Sequence, residues 1–187
     1  ESMPDRIVTT MNKTIADMAM RQLSKALLPH FKEGQQNVLN LLSTDAANGK
    51  SYLAQELENY WVSIGLQVRR LTYDEDFLAE DSRYIMAKDI KDLCPDIMPN
   101  EIAIIEYPNL DDNSISSALL NMGTINLIVT RANRTWKDVD QKALKELQSQ
   151  LENQDTLYMS LTECQRYAVE EFVGQLPPYT RFNNFVY

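Results

Sequence analysis

Residues 37–51 read NVLNLLSTDAANGKS. From Val38 to Leu42 four of the five positions are apolar, with Asn40 the polar one. Such a run predicts a short strand covered on both faces, as central parallel strands are. A polar loop starts at Ser43, and Gly49-Lys50-Ser51 then opens an amphipathic helix. Strand, polar loop, Gly-Lys-Ser and helix is the order a phosphate-binding loop requires. Backbone N–H groups and the helix N-terminus surround the phosphates, the lysine reaches the β and γ oxygens, and the serine hydroxyl ligates Mg²⁺.

The usual signature of such a loop is G-x-x-x-x-G-K-[ST]. Gly49, Lys50 and Ser51 match it, but Thr44 stands at the first glycine and Asp45-Ala46-Ala47-Asn48 contains none. A non-glycine residue in a left-handed conformation costs roughly 1–2 kcal/mol. The loop is therefore expected to avoid positive φ or to place it at Asn48 or Asp45. Asp45 also brings an anion toward any phosphate, which Mg²⁺ or an arginine must offset. The plain alternative is an ordinary strand-to-helix turn with Lys50 solvated and Ser51 a local cap. Against it, a lysine at a helix N-terminus opposes the helix dipole, and an anion over the loop would remove that conflict.

Upstream, Ile15, Met18, Ala19, Leu23, Ala26 and Leu27 form one stripe of a helix over 14–31, with Thr14 as its cap and Gly34 beyond its exit. Downstream, the helix from Lys50 to Ile64 buries Leu53, Ala54, Leu57, Trp61 and Ile64 and ends at Gly65. Gln67 to Tyr73 reads as a strand that Arg69 and Arg70 push toward a sheet edge. The acidic stretch that follows is loop-like, and Ser82 to Leu93 holds one or two short helical turns before Pro95.

Glu101 to Glu106 is a compact apolar strand, Ser114 to Met122 a helix capped by Asn113 or Ser114, and Ile125 to Thr130 a further strand. Thr135 caps a helix from Trp136 to Leu151 with Val139, Leu144, Leu147 and Leu151 inward. Thr156 to Leu161 is the last strand, and a helix and aromatic tail occupy 163–187. Alternating strands and helices give an α/β fold of three layers around a mainly parallel sheet. One unit is expected over 1–187, with a nucleotide core at 38–161. Ligands of such folds lie beyond the C-terminal strand ends, here Ser43, Tyr73, Glu106 and Thr130.

Composition narrows the partners. The 187 residues suffice for one full core, since chains beyond about 150 residues bury about 70% of their extended surface. A net charge of −9 argues against nucleic acid and against direct adsorption on anionic lipid. Cys94 and Cys164 are too few and too distant for a disulfide framework, and His30 is the one histidine, so a zinc centre is not expected. No run of 18 apolar residues marks a membrane span. The start carries no signal-peptide pattern, and its Glu-Ser-Met reads as a cloning junction.

Asp74 and Asp76 follow one strand, and Glu106 closes the most apolar one. In nucleoside-triphosphate chemistry a carboxylate at the end of the neighbouring strand holds Mg²⁺ or its water, and a second acid orients or deprotonates the attacking group. Asp74 and Glu106 are therefore the catalytic candidates, with Asp76 and Arg131 secondary. For Asp74 and Asp76 the alternative is a solvated acidic loop. Arg131 and Arg134 lie just past the strand at 125–130, placed to neutralise phosphate, to pair with Glu106, or to make a surface ion pair with the acidic loop.

The order of LLSTDAANGKS, the acidic stretch after QVRRLTY, IAIIEYPNL and LIVTRANRTWKD is where a resemblance enters. Over nearly its whole length the chain resembles the cytosolic P-loop domain of bacterial tyrosine kinases of the polysaccharide co-polymerase, or chain-length-determinant, type. It resembles them as a degenerate variant. The resemblance implies ATP and Mg as cofactors, with Asp45, Asn48, Gly49, Lys50, Ser51, Tyr52 and Arg134 at the nucleotide and Ser51, Glu106 and Asp74 at the metal. It also implies an adenine contact from a polar residue near Ser160 or Thr162.

Several positions depart from the family pattern. Glu106 replaces its aspartate. Its acid pair falls on Thr72 and Asp74, or on Asp74 and Asp76 if the register slides by two. Its Glu-x-x-Arg-x-x-Arg oligomerisation pattern becomes Asp17-x-x-Met20-x-x-Leu23, and its tyrosine-rich tail is reduced to Tyr179 and Tyr187. The expected role is a regulatory ATP-binding domain of an exopolysaccharide or capsule protein at the cytoplasmic face of the bacterial inner membrane. Its expected partners are an inner-membrane polysaccharide co-polymerase segment, in the same or a separate chain, and possible further copies of itself. An active tyrosine autokinase and a nucleotide-free interaction module are the alternatives.

Overall fold

A computed structural model describes residues 5–72, 84, 87–110, 115–165, 167–168 and 170. The apolar runs form β1 (Asn37–Leu42), β2 (Val68–Thr72), β3 (Ile102–Glu106), β4 (Ile125–Arg131) and β5 (Leu157–Thr162). They make one sheet in the order β2-β3-β1-β4-β5, and every described pair is parallel. Every residue of β1 and β3 is buried, whereas β2 is half-buried throughout and β5 alternates between half-buried and exposed. The mainly apolar strands thus take the centre. At the β2 edge Arg69 pairs with Glu101 (3.1 Å) and Arg70 with Glu58 (2.9 Å).

The helices are α1 (Asp5–Leu27), α2 (Lys50–Ser63), α3 (Ile90–Leu93), α4 (Ser117–Met122) and α5 (Asp138–Gln150). Alternate strand residues feed two cores. On one face Leu39, Leu41, Ile104 and Leu127 meet Leu27 of α1 and Leu53, Leu57 and Trp61 of α2. On the other, Val38, Leu42, Ile105 and Ile128 meet Leu93, Leu119, Leu120 and Leu147 from α3, α4 and α5. Trp61, with no exposed surface, donates its indole N–H to Ser24 Oγ at 2.7 Å and so ties α2 to α1. None of the described helices is long and apolar enough to cross a membrane.

Several element ends differ from the sequence expectation. α1 begins at Asp5, so Thr14 is interior to it rather than its cap. Its buried stripe is Met20, Ser24 and Leu27, with Ala19 and Ala26 outward. Ile64 and Val139 are about half exposed (50% and 54%) instead of inward. α4 starts later, capped by Ser116, whose hydroxyl accepts from Leu119 N–H at 3.3 Å. α5 starts at Asp138, because the carboxylate of Asp140 takes the Lys137 N–H at 2.8 Å and moves the helix start past Thr135. Of the helix expected from Glu163, positions 163–165, 167, 168 and 170 fall within the described residues, and 163–165 are not helical.

Candidate functional site

β1 lies where the strand order reverses, with β3 on one side and β4 on the other. In open α/β sheets that reversal leaves a crevice at the C-terminal strand ends. The chain leaving β1 there is Ser43–Gly49, and it fills the crevice mouth. Gly49 has φ 85° and serves as N-cap of α2, whose first bond runs from Leu53 N–H to Gly49 O (2.9 Å). The second left-handed residue is Ala47, at φ 55°. This corrects the expectation that Asn48 or Asp45 would absorb positive φ, and it leaves the loop carrying a strain of roughly 1–2 kcal/mol at an alanine. Asn48 instead braces the turn, donating from Nδ2 to Asp45 O at 2.9 Å.

The lysine and serine that open α2 both turn inward at their tips. Lys50 is buried, and its ammonium donates to Ser43 Oγ, whose own hydroxyl donates to Asp45 O at 2.8 Å. Burial lowers the Lys50 pKa, while the nearby carboxylates of Glu106 and Asp45 act the other way. Ser51 Oγ donates to Oε1 of Glu106. Glu106 is 2% exposed, and its second oxygen, Oε2, is buried with no hydrogen-bond partner among the described residues. A buried charged oxygen without a partner is costly. The loop residues Ala46 to Gly49 and Glu106 line a cleft of about 270 Å³, together with Asn109.

This donor set fits Mg²⁺. The ion favours hard oxygen ligands, typically takes one or two from protein, and fills its shell with water and phosphate. The Ser51 hydroxyl and the unpaired Glu106 oxygen are two such groups at one cleft wall. Among the described residues no cluster of three or more His, Cys, Asp or Glu side chains surrounds a metal position, so a fully protein-made cage is not what they build.

The remaining sequence candidates fall in different places. Tyr52 lines the cleft with its residue 62% exposed. Asp45 is half exposed at the back of the loop. Arg134 lies behind the loop, where its guanidinium reaches both carboxylate oxygens of Asp140 (2.6 and 2.8 Å), Thr44 Oγ1 (3.1 Å) and, more distantly, Asp45 (3.5 Å). Arg131 closes β4, its buried Nε without a partner among the described residues. Neither arginine is paired with Glu106 there. Asp74 and Asp76 lie outside the described residues. Thr72, at the end of β2, is in register with Glu106.

Three residues at the site escaped the sequence reading. Asp140 is fully buried beneath the loop. Its signal was periodic: 140, 144, 147 and 151 share one helical stripe, so an acid occupied an inward position and Val139 did not. Ser43, which the pattern marks only as a strand end, receives the lysine. The Thr162 hydroxyl lies 3.0 Å from Asn48 O, to which it donates, and 3.3 Å from Thr130 O, and it braces the loop from β5.

No family model matches the chain, and no curated protein does. Among solved structures, the kinase domain of Escherichia coli tyrosine kinase ETK matches with a TM-score of 0.54 over 80% of this chain and 77% of that one, at 10% sequence identity. That likeness, with the parallel five-stranded sheet and the loop after β1, defines a P-loop NTPase-like α/β fold.

Proposed function

We propose that this chain is a nucleotide-binding regulatory module that takes ATP with Mg²⁺ on a tyrosine-kinase-like scaffold and is weakened as a kinase. One observation carries the reading. At the end of the central strand, left-handed Gly49 caps α2 so that Lys50 and Ser51 stand at a cleft that Glu106 also lines, with the Ser51 hydroxyl on the Glu106 carboxylate. Lys50 would bind the β and γ phosphates, while Ser51 and Glu106 would hold the metal, which would neutralise charge on the phosphates. Asn48, Gly49 and Tyr52 would line the nucleotide's path.

Degeneracy is supported by Thr44 and Glu106, and by the register that puts Thr72 where the family has its first acid. Each alters a group handling phosphate or metal, and losing one positioned group commonly lowers a rate by about 10²-fold. The segment resemblance, with the fold likeness to a bacterial tyrosine kinase domain, supports a reading of the wider setting. We place the module with an exopolysaccharide or capsule export protein at the cytoplasmic face of the inner membrane. There it would act on a membrane-spanning polysaccharide co-polymerase segment and on copies of itself.

A nucleotide-free interaction module is the second reading, favoured by Lys50 and Ser51 already having protein partners. Calorimetric titration with ATP, with and without Mg²⁺, separates the two. Saturable binding that Lys50→Ala abolishes supports the proposal, and an absence of heat in both titrations overturns it. Phosphotyrosine detection after incubation with ATP tests the degeneracy, and strong labelling that is lost in Asp74→Asn would contradict it.

A further inference from the structure

The loop holds its shape without the glycine that its signature places first. Thr44 occupies that position and is 1% exposed. Its hydroxyl is held from two sides at once, donating to Asp140 Oδ1 and accepting from Arg134 Nη1 at 3.1 Å. Asp140 is itself fully buried and also takes the Lys137 N–H at 2.8 Å, so the pair is anchored to the start of α5. At the far end of the loop, the Thr162 hydroxyl fixes Asn48 O. The loop is thus pinned at both ends by side chains from the β4–α5 and β5 segments, and its cleft side is left open.

We propose that Arg134 and Asp140 are positioning residues for the phosphate loop, holding it through Thr44 in a ligand-accepting shape before any nucleotide arrives. A charged pair can do this because charge-assisted hydrogen bonds are shorter and stronger than neutral ones, and this pair is shielded from water that would compete with them. Arg134 also lies near Asp45, and so offsets the one anion of the loop that would repel phosphate. The inference rests on the loop being the nucleotide site.

The test compares the full chain with Thr44→Val, Thr44→Ser and Arg134→Lys. Backbone amide exchange over 45–49 is measured without ligand, and affinity is measured for Mg-ATP and for adenosine. Removing hydrogen bonds to charged groups should speed exchange at these amides and weaken Mg-ATP, each about tenfold, with adenosine unchanged. Thr44→Ser should restore both. Arg134→Lys, which keeps the charge but not the fork, should behave like Thr44→Val, and it carries the test if Thr44→Val does not fold. Unchanged exchange in folded variants overturns the proposal, as does faster exchange with Mg-ATP affinity intact. If the parent chain binds no nucleotide, the site reading fails, while the exchange arm still decides whether the pair holds the loop.

Discussion

The two sides of one loop differ in kind. Behind it, Thr44, Asp140 and Arg134 form a dry, mutually satisfied cluster whose least buried side chain is 9% exposed. In front, Lys50 and Ser51 share a cleft with a carboxylate oxygen that has no partner among the described residues. The back has every mark of structure, and the front retains unsatisfied polar chemistry. A loop that must accept a multiply charged ligand needs both, because a site is preorganised only if something outside it absorbs the cost of holding it open.

The largest effect expected from breaking this contrast is on stability, at the back. Asp140→Ala should cost about 3–5 kcal/mol in urea unfolding, since it strands the Arg134 charge in a buried site. Replacing both partners, Asp140→Leu with Arg134→Met, should recover most of that loss; failure to recover would mean that the ion pair does more than satisfy itself. At the front the effect should be on binding. Lys50→Ala should weaken Mg-ATP by on the order of 10–100-fold in calorimetry while leaving the unfolding midpoint equal or higher.

Smaller still are the backbone terms. Gly49→Ala should destabilise by roughly 1–2 kcal/mol, through φ 85° and not through crowding, since an added Cβ would lie 3.6 Å from Thr162. Ala47→Gly, at φ 55°, should change stability by less than about 1 kcal/mol and in the stabilising direction. Thermal melts of the two variants check the pair of signs.

The subtlest expectation concerns pH. Burial lowers the Lys50 pKa in the folded state, so between that value and the ordinary 10.5 the unfolded chain holds more protons. The penalty for burying the ammonium is complete below the folded pKa and fades as pH rises toward 10.5. The stability of the parent chain relative to Lys50→Met should therefore rise across the alkaline range. A flat difference in urea melts between pH 7 and 10.5 would place the lysine in water.

Much of this architecture was legible from local pattern. Val38 to Leu42 announces a central strand because both its faces are largely apolar, and Arg69 and Arg70 announce an edge because neither face can bury a guanidinium pair. The front of the site was legible for a similar reason: Gly49, Lys50 and Ser51 are contiguous, and their chemistry needs only the strand before and the helix after. The back was not. Thr44, Arg134 and Asp140 are 90 and 6 residues apart in the chain, and nothing in their spacing says that they meet.

Local pattern along the chain was enough to show that a buried strand feeds a Gly-Lys-Ser helix start and that helices alternate with mainly parallel strands, because short-range periodicity encodes which faces leave water. Long-range packing set the rest: Arg134 turns to Asp140 instead of the cleft, Ala47 takes the left-handed turn, and Ser51 rests on Glu106. Those outcomes depend on which groups share a low-dielectric space after packing, and burial of that kind belongs to the assembled sheet and not to any segment of it.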